Sequence, residues 1–258
     1  DLCGTIMSDR IYQPEYYFDF INQFYCIESL EVNPGTFVKP EARRSFFSTI
    51  ISPTGFKPTS ILEIGCFDGA TLDIFKHAFN SKVFGVEPAT ASLNASLVNF
   101  PHLNGCVVND VFERTGPLLE GKIFDLILSS YAFRQNAHPI ATLEIVNKII
   151  SDDGFFYLDE GQFQDVFLTA SDLEIGQGLF QQKNFYYSIN GLIYLFEKYG
   201  FEYFASLNRH EANFRTGYQP RHVALVFKRN KDVIQNEKRI WKSKKISDAY
   251  VESFKKVI

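Results

Sequence analysis

The stretch Ile61-Leu62-Glu63-Ile64-Gly65-Cys66-Phe67-Asp68-Gly69-Ala70-Thr71 constrains the fold more than any other part of the chain. A short apolar run enters a turn with two glycines, and the start of a helix follows. The next apolar run ends on Glu87, which lies 18 residues beyond Gly69. Strand, glycine turn, helix and a following acid together make a crevice at the carboxyl edge of a parallel sheet. That crevice suits a nucleotide-shaped ligand.

The remainder of the middle of the chain keeps the same rhythm. Strands are predicted at Ser60 to Ile64, Lys82 to Val86, Gly105 to Val108, Phe124 to Ser129 and Phe155 to Leu158. Helices are predicted between them at Ala70 to Phe79, Ala91 to Val98 and Pro139 to Ile150, the last ended by Ser151-Asp152-Asp153-Gly154. Strands that alternate with helices imply a doubly wound, Rossmann-like α/β sheet, mostly parallel. After residue 160 the rhythm changes to a polar and aromatic insertion, Gln162 to Lys183, and then a helix, Ser188 to Tyr199, capped by Gly200. Phe201 to Leu207 and His222 to Phe227 read as a closing antiparallel hairpin.

Three regions follow from this reading: residues 1–57, 58–228 and 229–258. The first is an aromatic, helical extension with a predicted helix at Glu41 to Ile51, placed as a lid over the crevice. The second is the α/β domain. The third is a basic tail: residues 228–258 hold ten Lys or Arg against four acids. The tail reads as a solvated amphipathic helix, or as a surface for a partner or an additional domain.

The net charge of −4 gives no nucleic-acid footprint, and no apolar run is long enough for a membrane span. The start of the chain lacks the pattern of a signal peptide. Cys3, Cys26, Cys66 and Cys106 show no metal-ligand spacing, so no metal is expected, and free thiols agree with a cytoplasmic setting.

Several segments together resemble the class I S-adenosylmethionine-dependent methyltransferases. They are Glu63 to Gly69, Glu87, Asp110, Phe124-Asp125-Leu126-Ile127-Leu128 and Ile149 to Phe156, in that order. The resemblance covers roughly residues 58 to 228 and implies S-adenosylmethionine as cofactor. It places Glu63, Gly65, Phe67, Asp68 and Gly69 around the methionine moiety and Glu87 with Pro88 at the ribose. Asp110 and Val111 are placed at the adenine, and Ser129 and Tyr131 after strand four, where cofactor and substrate meet. Asp68 is open between bonding the turn and meeting the methionine ammonium. Phe67 stands where the family often has Gly, and Tyr131 where it often has His. Asp125 is expected to be structural.

Residues 124 to 227 are most similar to the sugar-modifying branch, carried by Phe185-Tyr186-Tyr187 through Gly200-Phe201-Glu202. Carbon-methylating relatives place a Glu-His pair before the aromatic pair; here Gln182-Lys183 stand there. That pair abstracts no proton readily at neutral pH, so the expected reaction moves to oxygen. The expected acceptor is a sugar, nucleotide-sugar, glycan or other small hydroxylated molecule, as in polysaccharide biosynthesis. His138, Glu160 and His210 are the candidate bases, and Tyr12, Tyr16, Tyr186 and Tyr187 the candidate acceptor contacts. Two other classes stay open: an NAD-dependent enzyme, although the turn lacks Gly-x-Gly-x-x-Gly, and a catalytically silent scaffold that binds the cofactor.

Overall fold

The computed structural model describes residues 6–7, 13–24, 56–161, 185–187, 189–208 and 222–233. The predicted helix at 41–51, the insertion at 162–183, Tyr12, His210, Cys3, Cys26 and the tail from residue 234 lie outside the described residues. The chain begins with strand β1 (Ile6–Met7) and helix α1 (Pro14–Phe24). Then come β2 (Ser60–Ile64), α2 (Ala70–Ala78), β3 (Lys82–Val86), α3 (Thr90–Asn99), β4 (Val107–Val108) and α4 (Phe112–Thr115). β5 (Phe124–Ser130), α5 (Pro139–Ile149), β6 (Ile150–Gly161), β7 (Phe185–Tyr186), α6 (Ile189–Lys198), β8 (Phe201–Asn208) and β9 (His222–Arg229) complete it.

Seven strands form one sheet in the order β4-β3-β2-β5-β6-β9-β8. β2, β3, β4, β5 and β6 pair in parallel, and β9 runs antiparallel to both of its neighbours. The doubly wound sheet with its closing hairpin is therefore as expected. The order reverses at β2, where β3 lies on one side and β5 on the other, so the switch-point crevice opens at the end of β2. The register brings the ends into line: Ile64 faces Val86 and Ser129, and Ser129 faces Leu158.

Alternation along the strands divides the core between the two faces. On one face Leu62, Ile64, Ile127, Phe156 and Leu158 pack against Leu143, Val146 and Ile149 of α5 and Leu192, Ile193 and Phe196 of α6. On the other, Ile61, Leu126, Leu128 and Tyr157 pack with Phe75 of α2. Rings dominate the first: Phe196 stacks on Phe227 at 4.1 Å and meets Phe156 at 5.0 Å.

Two expectations need correction. The fifth main strand extends over Ile150–Gly161, far beyond Phe155 to Leu158. Ser151 to Gly154 does not simply end the helix. Phe124 pairs with Ile150 and Leu126 with Phe155, so those four residues bulge between two paired positions. Gly154 suits the bulge because a Cβ there would meet Ile150 Cγ1 at 2.6 Å. The carboxyl end of β6 stays in the sheet because β9 covers it, pairing Glu160 with Val223. The third strand is shorter than predicted, only Val107–Val108. β1, which pairs antiparallel with β7, had no signal in the sequence.

Candidate active site

The turn after β2 is held by backbone bonds before any side chain contributes. Gly65 and Cys66 both donate to the carbonyl of Val86, at 2.8 and 3.2 Å, and Gly69 donates to Cys66 at 2.9 Å. Gly65 and Gly69 have φ of 74° and 72°, in the left-handed region that favours glycine. Their missing Cβ atoms also make room for the protein itself. A Cβ on Gly65 would lie 2.6 Å from Ala132 Cβ, and one on Gly69 would lie 2.1 Å from Ser96 Oγ. Phe67 is left-handed too, at φ 44°, although it carries a side chain. That ring is 41% exposed, so it turns outward from the core.

Glu87 ties this turn to the next strand. Its Oε2 accepts the Phe67 amide at 2.8 Å and its Oε1 accepts the Ala89 amide at 2.7 Å. The side chain is buried, and burial raises its pKa to about 7 against the lowering effect of those two amides. Each oxygen retains a lone pair for a further donor. Asp68 accepts the Ala70 amide at 3.0 Å. Cys66 is buried, and its thiol is pushed well up by burial, then by Glu87 and Glu63, so it is no nucleophile. Glu63 is buried on β2.

Helix α1 packs beside this turn, against the segments that follow β3 and β4. Tyr17 and Ile21 cluster with Ala89 and Val111, with Phe18 beside them. Asn22 donates to the carbonyl of Pro88 at 2.9 Å and accepts the Thr90 amide at 2.8 Å. Asn109 also donates to the carbonyls of Glu87 and Pro88. The hydroxyl of Tyr17 donates to Gln135 Oε1 at 2.6 Å, which joins α1 to the segment after β5. Tyr16, on the same helix, is 72% exposed. Asp110 accepts the Val111 amide at 2.8 Å and pairs with Arg114 at 3.0 Å.

The ends of β5 and β6 bring a second group of polar side chains together at the carboxyl edge of the sheet. Ser129 is fully buried, and its Oγ has no hydrogen-bond partner among the described residues. Tyr131 follows with φ 62°, its amide held by the Asp159 carbonyl at 2.8 Å. The guanidinium of Arg134 lies 5.4 Å from the Tyr131 ring centre. Asp159 and Glu160 are both buried. Glu160 Oε1 accepts the Arg134 amide at 3.3 Å, and Arg134 Nε lies 3.4 Å from Glu160 Oε2. Burial raises the Glu160 pKa to about 7, and the Arg134 charge only partly offsets this.

His138 is the residue just before α5, exposed, with Nε2 3.1 Å from Gln13 Oε1. Beside it Glu113 accepts the Ala137 amide at 2.9 Å, with its pKa raised by burial. Tyr187 is buried, its ring 5.6 Å from Phe133 and 5.7 Å from Phe185. Tyr186 contributes its backbone to β7. Asp125 clamps the entry of β2, accepting the amides of Thr59 and Ser60 at 2.9 and 3.1 Å.

Arg134, Asn22, Gln135 and Glu113 were not picked out in the sequence. Arg134 had one faint signal, a cation in the loop after β5. Its partner is 26 residues further on, and nothing local announces the pair.

The glycine turn, the Glu87 carboxylate with its free lone pairs and the orphaned Ser129 hydroxyl fit an adenosyl cofactor with a polar tail. A family profile described as a methyltransferase domain matches residues 39–206. None of the curated proteins matches significantly. Among solved structures, the plantazolicin methyltransferase BpumL is 15% identical, with a TM-score of 0.57; the match covers 82% of this chain and 90% of that one. A 1,6-didemethyltoxoflavin-N1-methyltransferase of Burkholderia thailandensis is 14% identical, with a TM-score of 0.56, covering 88% and 95%. The mitomycin 7-O-methyltransferase MmcR is 15% identical, with a TM-score of 0.53, covering 73% and 53%. At such identities the likeness concerns the fold. No helix among the described residues is long and apolar enough to cross a membrane.

Proposed function

The chain belongs to the methyltransferase domain family and takes S-adenosylmethionine as its methyl donor, and on that premise we propose O-methylation of a small hydroxylated acceptor. The acceptor class is a sugar, nucleotide-sugar or glycan. The observation that carries the reading is Glu160: a buried carboxyl with a pKa near 7, at the carboxyl edge of β6. A group poised near neutrality is a matched base for a hydroxyl.

The bound cofactor supplies an activated methyl group and its own leaving group. The residues of the chain hold and orient. Glu87 accepts the ribose hydroxyls on the lone pairs left by the two amides. Asp110 and Val111 border the adenine, with Tyr17 and Ile21 of α1 above it. Gly65 to Gly69 and Ser129 line the methionine end. The Glu160 carboxylate receives the hydroxyl proton of the acceptor, and the Arg134 guanidinium beside it keeps a share of Glu160 ionised at neutral pH. His138, at the start of α5, is the second base on the same edge. Alignment provides most of the rate, since transfer from a sulfonium needs little covalent help.

The acceptor reading draws support from the Phe185 to Glu202 segment and from Gln182-Lys183 in place of Glu-His. The test is methyl transfer from a carbon-13-labelled donor to a panel of hydroxylated sugars, nucleotide-sugars and glycan extracts. The expected result is label in an O-methyl product together with release of S-adenosylhomocysteine. Label on nitrogen or carbon would refute O-methylation. Tight cofactor binding with no turnover on any acceptor would favour the silent scaffold.

A further inference from the structure

Away from the crevice, three potential metal ligands converge on the outer side of α2. Asp73 and His77 are four residues apart, hence neighbours on one helix face. His102 joins them from the single 3-10 turn Pro101–Leu103 that follows α3. The ligand atoms of all three lie within 4.8 Å of one another. Asp73 Oδ1 is 3.0 Å from His102 Nε2 and 3.4 Å from His77 Nε2. Two ligands at about 2.0–2.1 Å from a tetrahedral zinc ion lie about 3.3 Å apart, so these separations suit a shared ion as well as a His–Asp ion pair. His102 Nε2 is shielded from solvent and forms no hydrogen bond of regular geometry. The carboxylate nearest it is thus at ligand distance without hydrogen-bond alignment. Lys76, the adjacent cation, is engaged with the His102 carbonyl at 2.7 Å and the Cys106 thiol at 3.8 Å.

We propose that Asp73, His77 and His102 form a binding site for a borderline divalent cation such as Zn2+. Two imidazoles and one carboxylate are a ligand set that such an ion prefers, with water in the fourth position. The ion would join α2 to the turn after α3. That seam is where Gly69 meets Ser96 and Leu103, directly behind the cofactor turn. The site is a structural staple and takes no part in methyl transfer.

The experiment uses the tag-free, full-length, chelator-treated protein, titrated with ZnCl2 by calorimetry and with CoCl2 by visible absorption. The expected result is one ion per chain at micromolar metal, a tetrahedral Co2+ spectrum and a higher Tm with Zn2+. His77→Ala and His102→Ala should each weaken binding at least tenfold. Since His77 is largely exposed, its variant keeps the fold. Absence of binding, or equal affinity in both His77→Ala and His102→Ala, would overturn the proposal and leave the trio as a carboxylate shared by two histidines.

Discussion

Glu87 and Glu160 are alike in environment and different in task. Both are buried carboxyls whose pKa is raised to about 7, chiefly by loss of water. Glu87 uses its oxygens to hold two amides of the crevice, and Glu160 faces the Arg134 guanidinium at the carboxyl edge of β6. The consequence for stability has a definite sign. From pH 4.5 to pH 7 the folded chain holds protons that the unfolded chain has released, so stability falls as pH rises through that window. Above about pH 7 the loss is complete. Glu160→Gln removes one contribution, and chemical denaturation should find this variant more stable than the native chain at pH 8, by on the order of 1–3 kcal/mol. Glu87→Ala should weaken binding of S-adenosylhomocysteine at least tenfold in calorimetry, about 1.4 kcal/mol. Gly65→Ala should destabilise the fold by about 1–3 kcal/mol, from the clash with Ala132 and the left-handed φ together.

Short polar links fasten helix α1 both to the turn after β3 and to the segment after β5. Asn22 grips the Pro88 to Thr90 turn, and Tyr17 grips Gln135. Asn22→Ala should speed release of S-adenosylhomocysteine several-fold in stopped-flow measurements while altering the fold little; an unchanged off-rate would place α1 outside the gate. At this scale the sequence was partly legible. The aromatic N-terminal extension read as helical, and Pro14–Phe24 forms α1, whose Tyr17 and Ile21 cluster with Ala89 and Val111. The side chains that fasten it did not stand out, because Asn22 and Gln135 are ordinary polar residues until the fold brings their partners near. The Ser151 to Gly154 bulge shows the converse. A helix-end signal and a strand bulge use the same residue types, and only pairing with β5 decides between them.

Across the whole molecule, the parallel order and the antiparallel β9 were legible because burial on both faces writes apolar runs, and helices between them force crossovers. The cofactor crevice followed from the switch point, which topology places at the end of β2. At the ends of β5 and β6, Ser129, Tyr131 and Glu160 stood out in the sequence but the Arg134 partner of Glu160 did not, since only the register of β5 and β6 brings the two together. Cofactor binding should stabilise this whole unit. At one hundred times its dissociation constant, S-adenosylhomocysteine contributes about 2.7 kcal/mol, which raises Tm by about 5–10 °C in a chain of this size. Glu87→Ala should lose most of that shift.

The role of Glu160 as base is tested most directly by the pH dependence of kcat/KM for methyl transfer, measured on the native chain and on Glu160→Gln with the best hydroxylated acceptor. The native enzyme should gain rate with rising pH through an apparent pKa of about 7 and then level off. Glu160→Gln should lose at least a hundredfold in rate and lose that rise. A Glu160→Gln variant that keeps both the rate and the limb near pH 7 would contradict the assignment.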